Sequence, residues 1–321
     1  MVTSIAEVAT EVVSGAPIGV LLMTYGSPTS IADVPHYLAA VRGGRDADPE
    51  LVAEFQRRYT AIGGSPLIPH TIDQAAALER RLGAGARVRA AMRFSAPTIT
   101  DALADLVASG VRSAVAIVLS PQYSPLLMGG YARAVDAARA ELGHAAPDVT
   151  VAGAWHDQPA FVAALGARIR DAVGRLPAGE AETAPLLLTA HSLPRRVAER
   201  EPDYLAQLEH TAHAVALAAG VTRERWTFCW QSAGHEPGEW MRPDFADLMP
   251  ELAAAGHRSV VVAPVQFLSD HLETLYDVDI GARQQAEGCG LRFERIAALN
   301  DDPGLIEALA AVVGEVQAPS A

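Results

Sequence analysis

Residues 267–285 read FLSDHLETLYDVDIGARQQ and set Asp270, His271, Glu273, Asp277 and Asp279 within ten positions, directly after the apolar run SVVVAPVQ. Carboxylates and imidazoles at such spacing can pass protons, or hold a divalent cation through oxygen and nitrogen donors that still exchange. A helix beginning near Asp270 would stack Asp270, Glu273 and Asp277 on one face at intervals of three and four. The helix dipole explains an acid at the first turn, hence Asp270 taken alone; it explains poorly like charges receding into the helix. A second imidazole, His191, closes the apolar run of LLLTAHSLPRRVAER, with Ser192 and Pro194 placed to start the next helix. A satisfied strand-end histidine accounts for His191 in isolation. Adjacent side chains diverge and no G-x-S-x-G is present, so His191 and Ser192 do not make a hydrolase; without H-E-x-x-H, a zincin has no support either.

Other polar groups gather at similar places. IGVLLMTYGSP ends on Tyr25, Gly26 and Pro28, a turn that glycine permits and proline stiffens. VRGGRDADPE offers Arg42 and Arg45, and RRYTAIGGSPL brings a glycine turn with Ser65. Neither glycine stretch fits G-x-G-x-x-G or a P-loop, so nucleotide binding is unsupported. FCWQSAGHEPGEWMRPDF reads as a loop carrying Trp230, Gln231, Ser232 and Trp240, either core tryptophans or a surface for a flat aromatic ligand.

These groups need elements to hold them. IGVLLMTY, SAVAIVLSP, APLLLTAHS and SVVVAPVQF are short, β-rich and continuously apolar, as strands of a parallel sheet covered on both faces are. Between them TIDQAAALERRL, ITDALADLVASG and QPAFVAALGARIRDAVGRL carry helical apolar spacing. The alternation predicts an α/β fold in two similar halves, residues 1–155 and 156–321, as the length of 321 residues also suggests. Ligands of open parallel sheets collect beyond the carboxyl ends of the strands, where each polar cluster sits. Half of the residues are hydrophobic and a fifth charged, the balance of a globular protein, and no run approaches the roughly 18 apolar residues that cross a bilayer. The start, MVTSIAEVATEVVSGAP, has two glutamates, no basic residue and no apolar core, so no secretory signal is expected and a cytoplasmic location is. A net charge of −13 argues against nucleic acid or anionic lipid as partner. Cys229 and Cys289 are too few for a disulfide framework or an iron–sulfur cluster.

Taken together and in order, TYGSP, RRYTAIGGSPL, TAHSLP, FCWQSAG and FLSDHLETLYDVDI resemble the ferrochelatases along nearly the whole chain. The resemblance implies two flavodoxin-like halves with parallel sheets, the chelatase fold, enclosing a cleft where Fe2+ enters a porphyrin with no cofactor for turnover. It makes His191 and Glu273 the catalytic, metal-facing pair and Asp270, His271 and Asp277 a conduit for protons or metal. Gly281 stands where the family usually continues that ladder with an acid. IGGSPL is one residue shorter than the family's turn, and Gln122 in LSPQYS stands where some relatives have histidine. MTYGSP resembles the coproporphyrin III enzymes of Gram-positive bacteria, which places Tyr25 at the metal from the face opposite His191. Arg42 and Arg45 would meet propionates, and Ser65, Tyr131, Gln231 and Ser232 would complete the porphyrin contacts. The resemblance also implies a monomer and a coproheme decarboxylase as receiver of the product. Protoporphyrin IX as substrate, a cobalt chelatase for a sirohydrochlorin and a non-catalytic porphyrin carrier are the competing readings.

Overall fold

The structure, a computed structural model, describes residues 16–234 and 238–318. Eight strands form two sheets. The first holds β1 (Ile18–Thr24), β2 (Ala86–Met92), β3 (Ser113–Val118) and β4 (Asp148–Val151) in the order β2-β1-β3-β4, and every pair is parallel. The second holds β5 (Leu186–His191), β6 (Trp226–Gln231), β7 (Ser259–Pro264) and β8 (Arg292–Arg295) in the order β6-β5-β7-β8, again parallel throughout. The halves thus repeat one topology, the opening of a flavodoxin-like winding. In each, the chain leaves the first strand to one side and returns to the other, which opens a crevice beyond the carboxyl ends of β1 and β3, and of β5 and β7.

The helices are α1 (Val34–Val41), α2 (Pro49–Ala61), α3 (Leu67–Leu82), α4 (Ile99–Ala108), α5 (Pro125–Leu142), α6 (Pro159–Gly174), α7 (Ala178–Ala181), α8 (Arg195–Ala198), α9 (Pro202–Ala219), α10 (Phe245–Ala254), α11 (Arg283–Gly288) and α12 (Pro303–Gln317), and a π-helix covers Glu273–Ala282. Central strands read as apolar runs because both faces are covered: β7 is buried along its whole length, as is β1 after its first residue. The edge strands β2 and β8 announce themselves less, since Arg87, Arg89, Arg292 and Arg295 interrupt them, a usual protection of an exposed edge. One core cluster joins the halves: Val20, Leu22, Leu78 and Val88 share it with Leu186, Leu188, Val261 and Leu309.

Two expectations need correcting. The stretch from Trp226 to Gln231 is strand β6 and not loop, and only from Ser232 does the backbone leave the sheet. Its aromatic and β-branched residues favour a strand, and the glycines and prolines that suggested a loop all lie after it. The regular helix expected from Asp270 is a π-helix that begins at Glu273 and leaves Asp270 in the preceding loop.

Candidate active site

His191 is the last residue of β5, where the sheet register fixes its backbone opposite Gln231. Its N–H donates to the Gln266 side-chain oxygen at 2.8 Å, and Gln266 in turn donates to the Tyr204 hydroxyl. The ring's Nδ1 lies 2.5 Å from the Ser192 carbonyl, which can only accept, so Nδ1 carries a proton and, in the neutral ring, the lone pair falls on Nε2. That lone pair faces Glu273, with Nε2 and Oε1 3.6 Å apart and 32 % and 33 % of the two side chains exposed. The gap is longer than a hydrogen bond and open to a ligand. Trp240 stands beside it, ring centroids 6.5 Å from His191. Trp230 belongs to the core with Tyr204 and Leu208, so of the two tryptophans only Trp240 borders the pair. Ser192 turns away and donates to the Met241 carbonyl at 3.0 Å, which removes any nucleophile from the scene.

Glu273 opens the π-helix, and several contacts hold that opening. Leu272 packs into the cluster of Val34, Leu38 and Tyr59 between α1 and α2. Gln231, expected against the ring, is 2 % exposed; its amide accepts from Thr189 Oγ1 at 2.5 Å and donates to the Glu273 carbonyl at 3.4 Å. It reaches the site through Glu273 and not through its own surface. Burial raises the pKa of Glu273, His191 opposes this, and the charge of Asp277 raises it further.

The rest of the expected conduit divides. Asp277 lies one turn on, 3.7 Å from Arg58 of α2, and Gly281 continues the row without a side chain. Asp270 is turned elsewhere: it pairs with Arg295 at 3.0 Å and bonds Asn300, while Asp279 takes the same guanidinium through both oxygens. It therefore shares no helix face with Glu273. His271 bonds Thr274 through both its N–H and its ring, and burial depresses its pKa to about 4, so it stays neutral near pH 7.

Tyr25 follows β1 and stays 43 % exposed, its ring edge-on to Phe94 at 4.6 Å. The turn beyond it depends on Gly26 at φ +91°, where a Cβ would stand 2.5 Å from Ser95 Oγ. Burial raises the Tyr25 pKa, Arg93 lowers it and Glu273 raises it, so the phenol and the carboxylate lie within each other's field across the cleft. The same charge reaches Tyr37 and Tyr59, whose pKa values burial already lifts. Arg42 and Arg45 sit on an exposed loop, where Arg45 donates to the Arg42 carbonyl at 3.1 Å. Ser65 accepts from Leu67 N–H at the start of α3, Ser232 holds a left-handed φ of 57° at the end of β6, and Tyr131 is buried on α5. The structure thus brings His191, Glu273 and Asp277 together, with Tyr25 within the field of Glu273. Spacing alone does not reveal Gln266, Tyr204 or Arg93, whose roles depend on three-dimensional contacts.

The ferrochelatase family model matches residues 17–317. The chain belongs to the ferrochelatase family. Ferrochelatases insert iron into a porphyrin. A ferrochelatase of Deinococcus radiodurans is 37 % identical over 308 residues, covering 95 % of this chain and 97 % of that one. A coproporphyrin III ferrochelatase of Geobacillus thermodenitrificans is 39 % identical over 303 residues, covering 92 % and 95 %. Among solved structures, SirB from Bacillus subtilis with Fe3+ superposes with a TM-score of 0.57 at 11 % identity, covering 94 % of this chain and 96 % of that one, which is a likeness of fold. No helix of this ferrochelatase among the described residues is long and apolar enough to cross a membrane.

Proposed function

We propose that the porphyrin is coproporphyrin III and that the product is coproheme. What supports this is Tyr25, exposed at the end of β1 and within the field of Glu273, together with the His191–Glu273 pair at 3.6 Å. Entry of Fe2+ requires two pyrrole protons to leave, so charge is conserved. His191, with its lone pair on Nε2, accepts a proton on the cleft side, and ionised Glu273 beside it takes or relays the second. Asp277 continues the route outward along the π-helix. Tyr25 offers a phenol oxygen to iron from the opposite face. Walls on both sides that hold the ring bent favour metallation over flat binding of the free base. The Geobacillus relative's name supports the choice of porphyrin. The proposal includes a cytoplasmic monomer that needs no cofactor beyond its two substrates and passes coproheme to a decarboxylase.

The test is anaerobic Fe2+ insertion with coproporphyrin III and protoporphyrin IX in parallel, read by loss of free-base fluorescence. Faster turnover of coproporphyrin III is expected. Preference for protoporphyrin IX would overturn the choice of substrate, and binding of both without turnover would point to a carrier. His191→Ala should abolish insertion and leave free-base binding in place.

A further inference from the structure

The backbone pairing of β5 with β7 stops short of the site. Its register ends at Thr189 opposite Pro264, and beyond it the Val265 N–H donates to the Thr189 carbonyl at 3.0 Å. In a parallel ladder alternate residues turn their N–H and carbonyl to the same neighbouring strand, so the His191 N–H points toward β7 as Thr189 does. The β6 side belongs to Ser192, whose N–H donates to the Gln231 carbonyl at 2.7 Å. The rung for His191 comes from a side chain: Gln266, just past the end of β7, accepts its N–H at 2.8 Å. That amide is itself anchored, since its Nε2 donates to the Tyr204 hydroxyl.

Tyr204 is a fixed point. It is 2 % exposed and packs with Ala190, Leu193 and Trp230. On one side of it Glu201 accepts from Ser124 Oγ at 2.7 Å, and on the other Gln207 bonds the Tyr123 backbone at 2.8 and 3.1 Å, so α9 is tied here to the loop between β3 and α5. The position passes on to the imidazole because Nδ1 is bound to the Ser192 carbonyl, which makes the ring follow its own backbone and aims Nε2 at Glu273. Gln266 also lies on the loop that leads to Glu273, so one amide links the carriers of both members of the pair. We propose that Gln266 is a positioning residue for iron insertion: its side-chain amide replaces the missing rung between β5 and β7 and sets where the His191 imidazole stands against Glu273. The assignment rests on the reading above that His191 accepts a pyrrole proton, and holds for either porphyrin.

The experiment compares Gln266→Leu, Gln266→Glu and His191→Ala with the unaltered protein. Affinity for coproporphyrin III is measured by fluorescence quenching, and a single anaerobic turnover, with protein in excess and started by Fe2+, reads the insertion rate free of product release. Q266L removes the acceptor at nearly constant volume, and the rate should fall roughly 10- to 100-fold, as a base displaced by a fraction of an ångström to 1 Å loses. Porphyrin affinity should change less than about twofold, since the lost interaction serves the transition state alone. Q266E still accepts from the His191 N–H and takes the Tyr204 hydroxyl as a donor, so the rate should return to within about threefold of the unaltered protein. An unchanged rate in Q266L would overturn the proposal. So would equal losses of rate and affinity, or a loss that Q266E does not recover, either of which would reduce Gln266 to a staple between α9 and the sheet. If Q266L does not fold, Tyr204→Phe carries the test: it keeps the rung and frees the other end of the amide, the rate should fall about 2- to 10-fold, and an unchanged rate overturns the proposal. A His191→Ala protein that inserts iron at the unaltered rate would instead defeat the reading of His191 on which the assignment stands.

Discussion

Because burial and the Asp277 charge hold the Glu273 pKa above the ordinary 4.5, the carboxylate that accepts a pyrrole proton forms at a higher pH than a surface glutamate would. Activity should therefore rise with pH through that raised value. Asp277→Asn removes one of the causes and should shift the acid limb of kcat/KM to lower pH, whereas Glu273→Gln should remove turnover by about a hundredfold or more. An acid limb that stays in place in D277N would show that another group governs it. The stability effect has the opposite sense: a carboxyl whose folded pKa is raised supports the fold below its unfolded value, and that support is lost as pH rises through the folded one. The resemblance of TAHSLP, FLSDHLETLYDVDI and TYGSP to the ferrochelatases singled out His191, Glu273 and Tyr25, whereas His191 taken alone reads as a satisfied strand-end histidine. Gln231 was expected against the porphyrin, and nothing local says whether an amide at the end of a strand points into the cleft or back to Thr189.

The element on which this chemistry turns is the π-helix, and no sequence period distinguishes a five-residue hydrogen-bond ring from the usual one. The acidic spacing therefore suggested a regular helix from Asp270, and the ion pair with Arg295 and the hydrogen bonds with Asn300 hold that residue out of the row. What holds the π-helix is α2. Arg57 and Arg58 both lie 5.3 Å from the Tyr276 ring, Arg57 donates to its hydroxyl at 2.5 Å, and Glu54 grips both arginines. Removing the ring by Tyr276→Ala should cost the segment about 1–3 kcal/mol of local stability, from two cation–π contacts, one exposed and one partly buried, and one hydrogen bond. Tyr276→Phe keeps the stacking and should lose less than about 1.5 kcal/mol. Native-state hydrogen exchange across 273–282 reads this directly. Equal protection in all three proteins would mean that the clasp does not hold the helix.

At the scale of the whole molecule, the alternation of apolar runs and helical spacing made an α/β fold legible, but the way the two sheets are joined was not, because it rests on pairings between residues far apart in sequence, 84 to 226 positions in the bonds below. Apolar residues of both sheets share one cluster, and buried amides stitch across it. Gln74 of α3 donates to Ser269 Oγ at 2.9 Å and to the Asn300 carbonyl at 2.6 Å, just behind the loop that leads to Glu273. Gln207 of α9 clamps the Tyr123 backbone through both its N–H and its carbonyl, and Gln122 donates to Thr211 at 3.0 Å. Halves so connected should unfold together. Far-ultraviolet circular dichroism and tryptophan fluorescence should give one coincident urea transition, since Trp155 lies in the shared core and Trp226, Trp230 and Trp240 lie in the second half. Gln74→Leu leaves two polar groups of the second half without their donor and should lower the midpoint by the equivalent of about 1–3 kcal/mol, with the transition still single. Two separated transitions in the unaltered protein would mean that the shared core does not couple the halves, and the cleft between them would then open at far lower cost than this packing implies.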